Sequence, residues 1–270
     1  MPEPDRFRSK YGPWALVTGA ARGMGAEFSR QIADLGLNLV MVDMLADELE
    51  ATASEIRCSR QVDIRTVAVD LSQEDFLASV RPHTDDIEVG LLVSSAAHTP
   101  IGLFFDQRLE DKLKMVDVNI RAPLKLVEEF GSKMLARRRG GIILISSASA
   151  LQGVAYVASY AATKAYNLIL AESLWDELRG SGVDVLGFMP AATRTTGFVL
   201  SEPRLERARF AGVMEVKPTV REALTSLGRS PSRIAGARNR FTILMAGRIL
   251  PRTTLIRLIG NNMRGWYGKD

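Results

Sequence analysis

The chain has 270 residues, a formal net charge of +4 and a hydrophobic content of 46%. That apolar content can fill a complete core, which excludes an intrinsically disordered chain, and the length suits one α/β domain. The single cysteine, Cys58, excludes an intrachain disulfide and fits a reducing compartment. The first ten residues are charged and polar, so we expect no signal peptide and a cytoplasmic protein.

Two further classes of protein are excluded by the residue pattern. No apolar run approaches the ~18 residues of a membrane-spanning helix. The two histidines, His83 and His98, have no cysteine, histidine or carboxylate at the spacing of metal ligands. We therefore expect neither a transmembrane segment nor a metal site.

Short apolar runs alternate with helix-like runs along the chain. Continuous apolar runs are typical of strands that are buried on both faces of a parallel sheet. The pattern predicts strands at 14–18, 37–43, 66–70, 89–95, 141–146 and 183–189, and helices at 24–35, 46–57, 73–80, 108–137 and 159–180. This alternation predicts a single α/β domain over 1–270, with a Rossmann-type doubly wound parallel sheet. Right-handed crossovers then place the carboxyl ends of the strands at one edge, where ligands bind.

A glycine-rich loop joins the first predicted strand to the first predicted helix. Gly19, Gly23 and Gly25 allow a tight turn and a close backbone approach there, and the helix N-terminus attracts phosphate. Arg22 and Met24 lie in the same loop. The setting between a strand and a helix predicts that this loop binds the phosphates of a dinucleotide.

Asp43 ends the second predicted strand, about 20 residues after the glycines. A carboxylate there accepts hydrogen bonds from ribose hydroxyls and repels a 2′-phosphate, which favours NAD. Arg22 attracts a 2′-phosphate, which favours NADP. We give Asp43 more weight because an unpaired carboxylate close to a phosphate costs much free energy. NAD is therefore the expected cofactor, and NADP is the alternative.

Tyr160 and Lys164 stand four residues apart in the helix predicted at 159–180, and Ser147 lies thirteen residues before Tyr160. Residues at i and i+4 share one helix face, so a phenol and an ammonium would be neighbours. A nearby cation lowers the tyrosine pKa from its ordinary value of ~10, which would permit proton exchange at neutral pH. On its own, however, the Tyr160–Lys164 pair is equally compatible with a solvent-exposed helix face that has no catalytic role.

Taken together, these motifs resemble the short-chain dehydrogenase/reductase family over about residues 11–195. The family's catalytic serine, tyrosine and lysine match Ser147, Tyr160 and Lys164, and its helix asparagine matches Asn119. The residues that the resemblance and the motifs assign to the cofactor are Gly19, Arg22, Gly23, Met24, Gly25, Asp43, Asp70, Leu71, Ser95, Ala96, Tyr160, Lys164, Pro190 and Thr195.

The resemblance implies hydride transfer between the cofactor and a carbonyl or secondary-alcohol carbon. Tyr160 then transfers the oxygen-bound proton, while Lys164 lowers the pKa of Tyr160 and holds the nicotinamide ribose. Ser147 stabilises charge on the substrate oxygen, and Asn119 holds a water in a proton relay. The chain departs from the family where Asn-Asn-Ala-Gly is replaced by Ser-Ser-Ala-Ala at 94–97.

The last part of the chain resembles a branch of the family that contains 17β-hydroxysteroid dehydrogenases and 3-oxoacyl reductases. This second resemblance depends on the segments 11–15 and 232–240. We expect a substrate lid at 191–217 and an atypical helical segment at 218–270, in which Pro251 separates two helices. The apolar lid residues are Phe198, Val199, Leu200 and Phe210.

The helical segment 218–270 is apolar and rich in arginine. Core packing or the surface of a homodimer or homotetramer is the expected use, and peripheral membrane contact is the alternative. Nucleic acid is not expected as a partner, because no aromatic residues interleave a basic stripe. An apolar lid predicts an apolar substrate such as a steroid, a fatty acyl group or an aromatic ketone.

Three other functions remain open from the sequence. The first is an NADPH-dependent 3-oxoacyl or carbonyl reductase. The second is a non-catalytic, nucleotide-binding regulatory protein on the same fold, since fold does not fix function. The third is a lipid-binding protein that uses the basic segment 218–270 at a membrane surface.

Overall fold

The protein is described here by a computed structural model that covers residues 1–204 and 213–268. Within these residues, seven parallel strands form one sheet in the order β3-β2-β1-β4-β5-β6-β7. The strands are β1 Trp14–Thr18, β2 Asn38–Asp43, β3 Ile64–Ala68, β4 Val89–Ser94, β5 Gly140–Ile145, β6 Val183–Met189 and β7 Ser232–Ile234. This topology is the Rossmann-type fold in a single domain, so the predicted fold class is confirmed.

Helices connect the strands and cover both faces of the sheet. They are α1 Pro4–Tyr11, α2 Gly23–Asp34, α3 Ala46–Ser59, α4 Phe76–Val80, α5 Leu109–Val116, α6 Ala122–Leu126, α7 Ser132–Ala136, α8 Ala158–Glu177, α9 Thr196–Leu200, α10 Val216–Ser226, α11 Ala237–Ile249 and α12 Arg252–Tyr267. Two π-helical turns, Asp117–Arg121 and Val127–Gly131, join α5, α6 and α7 into one long helix.

The core lies in two layers, because successive side chains of a strand point to opposite faces of the sheet. In β2, Leu39 and Met41 belong to the buried cluster that contains Phe28 of α2. Val40 and Val42 belong to a separate buried cluster on the other face. Every strand pair is parallel, so the carboxyl ends of the strands share one edge of the sheet.

Five of the predicted strands match the observed bounds to within one residue. The sixth, predicted at 66–70, is β3 Ile64–Ala68. β3 is an edge strand that is only partly buried, and its Arg65 pairs with Asp86 in solvent. Its start is therefore polar, and a search for apolar runs places the strand too late.

Three elements, α1, α9 and β7, have no counterpart in the sequence prediction. α1 is short and polar except for Phe7 and Tyr11, which stand four residues apart and are buried. The two helices predicted around Pro251 are confirmed, since Pro251 is the N-cap of α12. Over residues 1–204 and 213–268, no helix has both the length and the apolar character needed to cross a bilayer.

Candidate active site

A cleft of about 1260 Å³ lies at the carboxyl edge of the sheet. Its walls come from the loops after β1, β2, β3, β4, β5 and β6 and from the tail helices α11 and α12. The structure places almost every sequence-predicted site residue on these walls: Gly19, Arg22, Gly23, Met24, Gly25, Asp43, Asp70, Leu71, Ser95, Ala96, Ser147, Tyr160, Lys164, Pro190 and Thr195. Among the predicted catalytic and cofactor-binding residues, Asn119 alone does not line the cleft.

The glycine loop forms a cradle that side chains would fill. Gly19 and Gly23 have φ values of +70° and +61°, a region that favours glycine. A Cβ on Gly25 would stand 2.0 Å from the carbonyl oxygen of Gly19. No side chain caps the start of α2, so its first amides remain available for an anion. The loop therefore fits the pyrophosphate of a nicotinamide dinucleotide.

Asp43 is fixed at the end of β2 by two backbone amides. Its Oδ2 accepts a hydrogen bond from the amide of Ala21 at 3.0 Å, and its Oδ1 accepts one from Leu45 at 3.2 Å. Arg22, the competing determinant of cofactor choice, has its Nη1 3.8 Å from Oε1 of Glu48. The arginine is thus directed towards a carboxylate of α3.

Asp70 connects the loop after β3 with α5. Its Oδ2 accepts a hydrogen bond from Nζ of Lys114 at 2.8 Å, and its Oδ1 accepts one from the amide of Ser72 at 2.9 Å. Partial burial acts to raise the pKa of Asp70, but the hydrogen bonds from Lys114 and Ser72 outweigh it and lower the pKa. Asp70 is therefore a fixed anion at the cleft wall.

The Ser-Ser-Ala-Ala segment at 94–97, which departs from the family's sequence at the end of β4, is held by a residue of β1. The amides of Ser95 and Ala96 both donate to Oγ1 of Thr18, at 3.1 and 3.2 Å. A Cβ on Gly19 would stand 2.8 Å from Cα of Ala96, so this segment lies directly against the glycine loop. The Ser-Ser-Ala-Ala sequence thus keeps a braced position beside the cradle.

Ser147 follows β5 and is positioned by its neighbour Ser149. The Oγ of Ser147 accepts hydrogen bonds from the amide of Ser149 at 3.2 Å and from its hydroxyl at 2.9 Å. Burial raises the pKa of Tyr160 to about 12, although hydrogen bonding with the side chains of Ser147 and Thr99 opposes the rise. Ser147 and Tyr160 therefore present their hydroxyls to one point in the cleft.

Lys164 lies on the buried stripe of α8, together with Ala161, Leu168 and Ala171. Its side chain is 2% exposed, and Nζ donates to the carbonyl oxygen of Ile145 at 2.8 Å. Nζ stands 5.6 Å from the centroid of the Tyr160 ring. Burial lowers the pKa of Lys164 to about 8.

The expected direction of the Tyr160 shift needs correction. The sequence predicted that Lys164 lowers the pKa of Tyr160, but within the protein alone the pKa rises to about 12. The reason is that removal of water from around the phenol disfavours the phenolate more than the neighbouring groups favour it. The protein thus keeps Tyr160 protonated at neutral pH.

Asn119 lies in the first π-helical turn and is fully buried behind the cleft. Its Oδ1 accepts from the amide of His98 at 2.8 Å, and its Nδ2 donates to the His98 carbonyl at 3.0 Å. Its own carbonyl oxygen accepts from Asn167 at 2.9 Å. The side chain therefore fixes the loop after β4, and the predicted water relay stays a prediction.

The far end of the cleft is apolar and belongs to the tail. Met263 and Trp266 of α12 form one cluster with Val157, Tyr160 and Phe198. Of the predicted lid residues, Phe198 lines the cleft. Val199 and Leu200, which follow it in α9, do not line the cleft and are 54% and 65% exposed, and the lid over 191–217 stays a prediction. Phe210 lies outside the described residues.

The site residues that sequence reasoning missed include Thr99, Ser149, Met263 and Trp266. Thr99 follows β4 and Ser149 follows β5. The rule that ligands bind beyond the carboxyl ends of parallel strands could have indicated both. Trp266 carries no local signal, because its place in the cleft depends on how the tail folds back. Among the described residues, no group of three or more acidic, histidine or cysteine side chains could hold a metal ion.

Comparison with known proteins gives a consistent family. The matching family is described as short chain dehydrogenase, and the match covers residues 13–203. A 7beta-hydroxysteroid dehydrogenase of Collinsella aerofaciens is 31% identical over 239 residues, which are 88% of this chain and 91% of that protein. A human very-long-chain 3-oxoacyl-CoA reductase is 30% identical over 200 residues, which are 73% of this chain and 64% of that protein.

Solved structures agree with this similarity. A structure from a study of 7beta-hydroxysteroid dehydrogenase stereoselectivity superimposes with a TM-score of 0.86 at 29% identity, covering 94% of this chain and 99% of the other. A short-chain dehydrogenase from Sphingobium yanoikuyae in complex with NADPH gives a TM-score of 0.76 at 28% identity, covering 88% and 94%.

Proposed function

This chain belongs to the short-chain dehydrogenase family of NAD(P)-dependent oxidoreductases that act on CH–OH donors, and we propose that it interconverts a ketone and a secondary alcohol on an apolar substrate. NAD is the proposed cofactor, and Tyr160 is the proposed proton carrier. The observation that carries this proposal is the position of Tyr160, which stands between the polar hydroxyl of Ser147 and the apolar cluster of Met263 and Trp266.

A bound nicotinamide cofactor supplies a hydride to the substrate carbon in reduction and accepts one in oxidation. In reduction, the substrate oxygen takes its proton from the hydroxyl of Tyr160, which a pKa of about 12 keeps protonated at neutral pH. The hydroxyl of Ser147, fixed by Ser149, donates to the same oxygen and stabilises its developing charge. The ammonium of Lys164 stabilises the anion that Tyr160 becomes, and solvent then reprotonates the phenol.

The choice of NAD follows from Asp43 and Glu48. Asp43 presents a carboxylate that backbone amides hold in place, which suits a free ribose hydroxyl and repels a phosphate. Glu48 draws Arg22 towards α3, so the arginine is less available for a 2′-phosphate. The reductase alternative with NADPH requires Arg22 to leave Glu48 and Asp43 to tolerate the phosphate.

The proposed substrate is a ketosteroid or its alcohol, with a long 3-oxoacyl thioester as the second candidate. The apolar far end of the cleft supports either, and the names of the two relatives indicate the same two classes. The test is turnover of 7-ketosteroids, 3-oxoacyl thioesters and aromatic ketones with NADH and with NADPH. If the protein binds a nicotinamide cofactor and reduces none of them, the regulatory, non-catalytic function takes precedence.

We also propose that the protein is a homodimer or homotetramer. Leu109, Leu113 and Val116 recur at helical spacing on α5 and are exposed, as are Tyr166 and Ile169 on α8. α5 packs against α8, so these side chains form one apolar surface that a second copy can cover. Sedimentation of the wild type and of a Leu113→Asp, Ile169→Asp variant tests this, with Leu135→Asp as the control. A wild-type monomer would contradict it.

Peripheral membrane contact by the tail is the remaining alternative partner. Residues 237–268 contain six arginines and no acidic residue. On α11, Phe241 and Ile249 are 69% and 68% exposed, which together with the arginines suits an anionic lipid surface. Sedimentation with anionic and neutral liposomes at low and high salt decides between this contact and a cytoplasmic enzyme free of membranes.

A further inference from the structure

Trp266 of α12 carries a buried hydrogen-bond donor with no acceptor. The residue is 7% exposed, and its indole Nε1 has no partner among residues 1–204 and 213–268. Almost all buried polar groups in folded proteins have a partner, so an exception of this kind needs a reason. An indole nitrogen only donates, and what it lacks is therefore an acceptor.

The indole ring is held in place by its surroundings. Phe198 packs edge-on against it with ring centroids 6.0 Å apart, and Tyr267 does so at 6.2 Å. The backbone carbonyl of Trp266 also accepts a hydrogen bond from the amide of Arg204 at 3.2 Å. These two aromatic contacts and the backbone hydrogen bond restrict the movement of Trp266.

Trp266 also lines the cleft in which Tyr160 stands. Both residues belong to one apolar cluster with Val154, Val157 and Met263. A substrate whose reacting oxygen lies at Tyr160 therefore has the rest of its body beside this indole. The unpartnered donor therefore belongs to a residue of the cleft wall whose cluster consists mainly of apolar and aromatic side chains.

We propose that Trp266 Nε1 donates a hydrogen bond to a second oxygen of the substrate, distinct from the oxygen that Tyr160 protonates. The proposal rests on the proposed ketone–alcohol activity and deepens it. It defines the substrate as an apolar ketone or alcohol that carries a further acceptor, such as an ether, ester, hydroxyl or carboxylate oxygen. A site built to donate such a bond discriminates against the analogue that lacks the acceptor.

The test compares two ketosteroids that differ in a single group. They are 17β-methoxy-5α-androstan-7-one and 5α-pregnan-7-one, in which a CH₂ replaces the ether oxygen. We expect the wild type to favour the ether in kcat/KM by about tenfold, the usual size of one net hydrogen bond. Trp266→Phe removes the N–H and keeps an aromatic ring, so the preference should fall to about one.

The control variant is Trp175→Phe, because Trp175 packs on α8 outside the cleft. It should retain the tenfold preference. Equal preferences in the wild type and in Trp266→Phe would overturn the proposal and leave Trp266 with a packing role. Failure of the wild type to reduce either ketone would count against the proposed ketosteroid activity, separately from Trp266.

If the wild type reduces neither ketone, or if Trp266→Phe does not fold, a binding measurement still tests the Trp266 proposal. The protein has three tryptophans, so the variant Trp14→Phe, Trp175→Phe leaves Trp266 as the only indole. Titration of this variant with each ketosteroid in the presence of NAD follows the emission of Trp266 directly. About tenfold tighter binding of the ether, with a shift of emission to longer wavelength, supports the proposal. The same affinity and emission for both compounds, or no response to either, overturns it.

Discussion

The ammonium of Lys164 donates a hydrogen bond to the carbonyl oxygen of Ile145, 2.8 Å away. The bond ties the middle of α8 to the last residue of β5, directly behind the proposed proton carrier Tyr160. Because the lysine is buried, its pKa falls to about 8. The positive charge beside Tyr160 is therefore lost as the pH rises through about 8.

We expect kcat/KM for carbonyl reduction to decline above about pH 8, the pKa of Lys164. Below that pH the ammonium stabilises the anion that Tyr160 becomes, and above it the charge is gone. Tyr160, with a pKa of about 12, stays protonated throughout and causes no decline of its own in this window. The pH profile of kcat/KM for the ketone reports the enzyme form that meets the ketone and so measures this group. Lys164→Arg should move the decline to higher pH, and a flat wild-type profile from about pH 7 to about 10 would contradict the assignment.

The same buried lysine should cost stability. Its folded pKa of about 8 lies below the ordinary value of 10.5, so the unfolded state binds more protons between those pH values. The free energy of unfolding should therefore rise with pH across that window. Lys164→Met should abolish the rise and increase stability at pH 7 while removing turnover. Chemical denaturation of both proteins at about pH 7 and about pH 10 measures this, and parallel pH dependences would contradict it.

Tyr160→Phe should remove nearly all activity and leave cofactor binding and folding intact. Only the hydroxyl is deleted, and the ring keeps its place in the cluster with Met263 and Trp266. General acid–base groups contribute about 100- to 10,000-fold, so retention of more than about a tenth of the wild-type kcat is incompatible with the role. Tyr166→Phe, an exposed tyrosine on the same helix, is the control and should be neutral.

Asp43→Ala should weaken NAD and improve NADP. The substitution deletes a carboxylate that accepts from Ala21 and Leu45 and that repels a 2′-phosphate. We expect the ratio of kcat/KM for NAD over NADP to fall by about 10- to 100-fold, the size of a lost charged hydrogen bond. Glu48→Gln frees Arg22 and should shift the ratio in the same direction by less. A wild type that already prefers NADP would refute the argument.

The sequence pattern was sufficient to predict strands and site residues at positions where a single physical constraint determines the residue. β1 and β6 are apolar because both faces of the sheet are covered, and their predicted bounds match. Gly25 faces the backbone of Gly19 so closely that a side chain has no room, and such a glycine can be recognised from spacing alone. Asp43 follows the same logic, since it ends a buried strand next to that loop.

The sequence was insufficient where the outcome depends on residues distant in the chain. The pKa of Tyr160 is governed by burial, and Met263 and Trp266, which pack in its cluster, lie a hundred residues further on. Val199 and Leu200 look like lid residues by composition, but in α9 it is Gly197 and Phe198 that line the cleft. Local pattern cannot tell which face of so short a helix is covered.

The tail helix α12 should determine how well the cleft binds a bulky substrate. Residues of α12 close the apolar end of the cleft, and Met263 and Trp266 are buried there. Deletion of residues after Pro251 should raise KM for a bulky ketosteroid more than for a small ketone, because the small ketone needs only the Tyr160 end. Met263→Ala should reproduce part of the effect, and Ile256→Ala, on the exposed side of α12, should not. Hydrogen exchange gives an independent check, since amides within helices α11 and α12 should be protected over 241–260. Full exchange there, or an equal rise of KM for both ketones, would mean that the tail does not enclose the substrate.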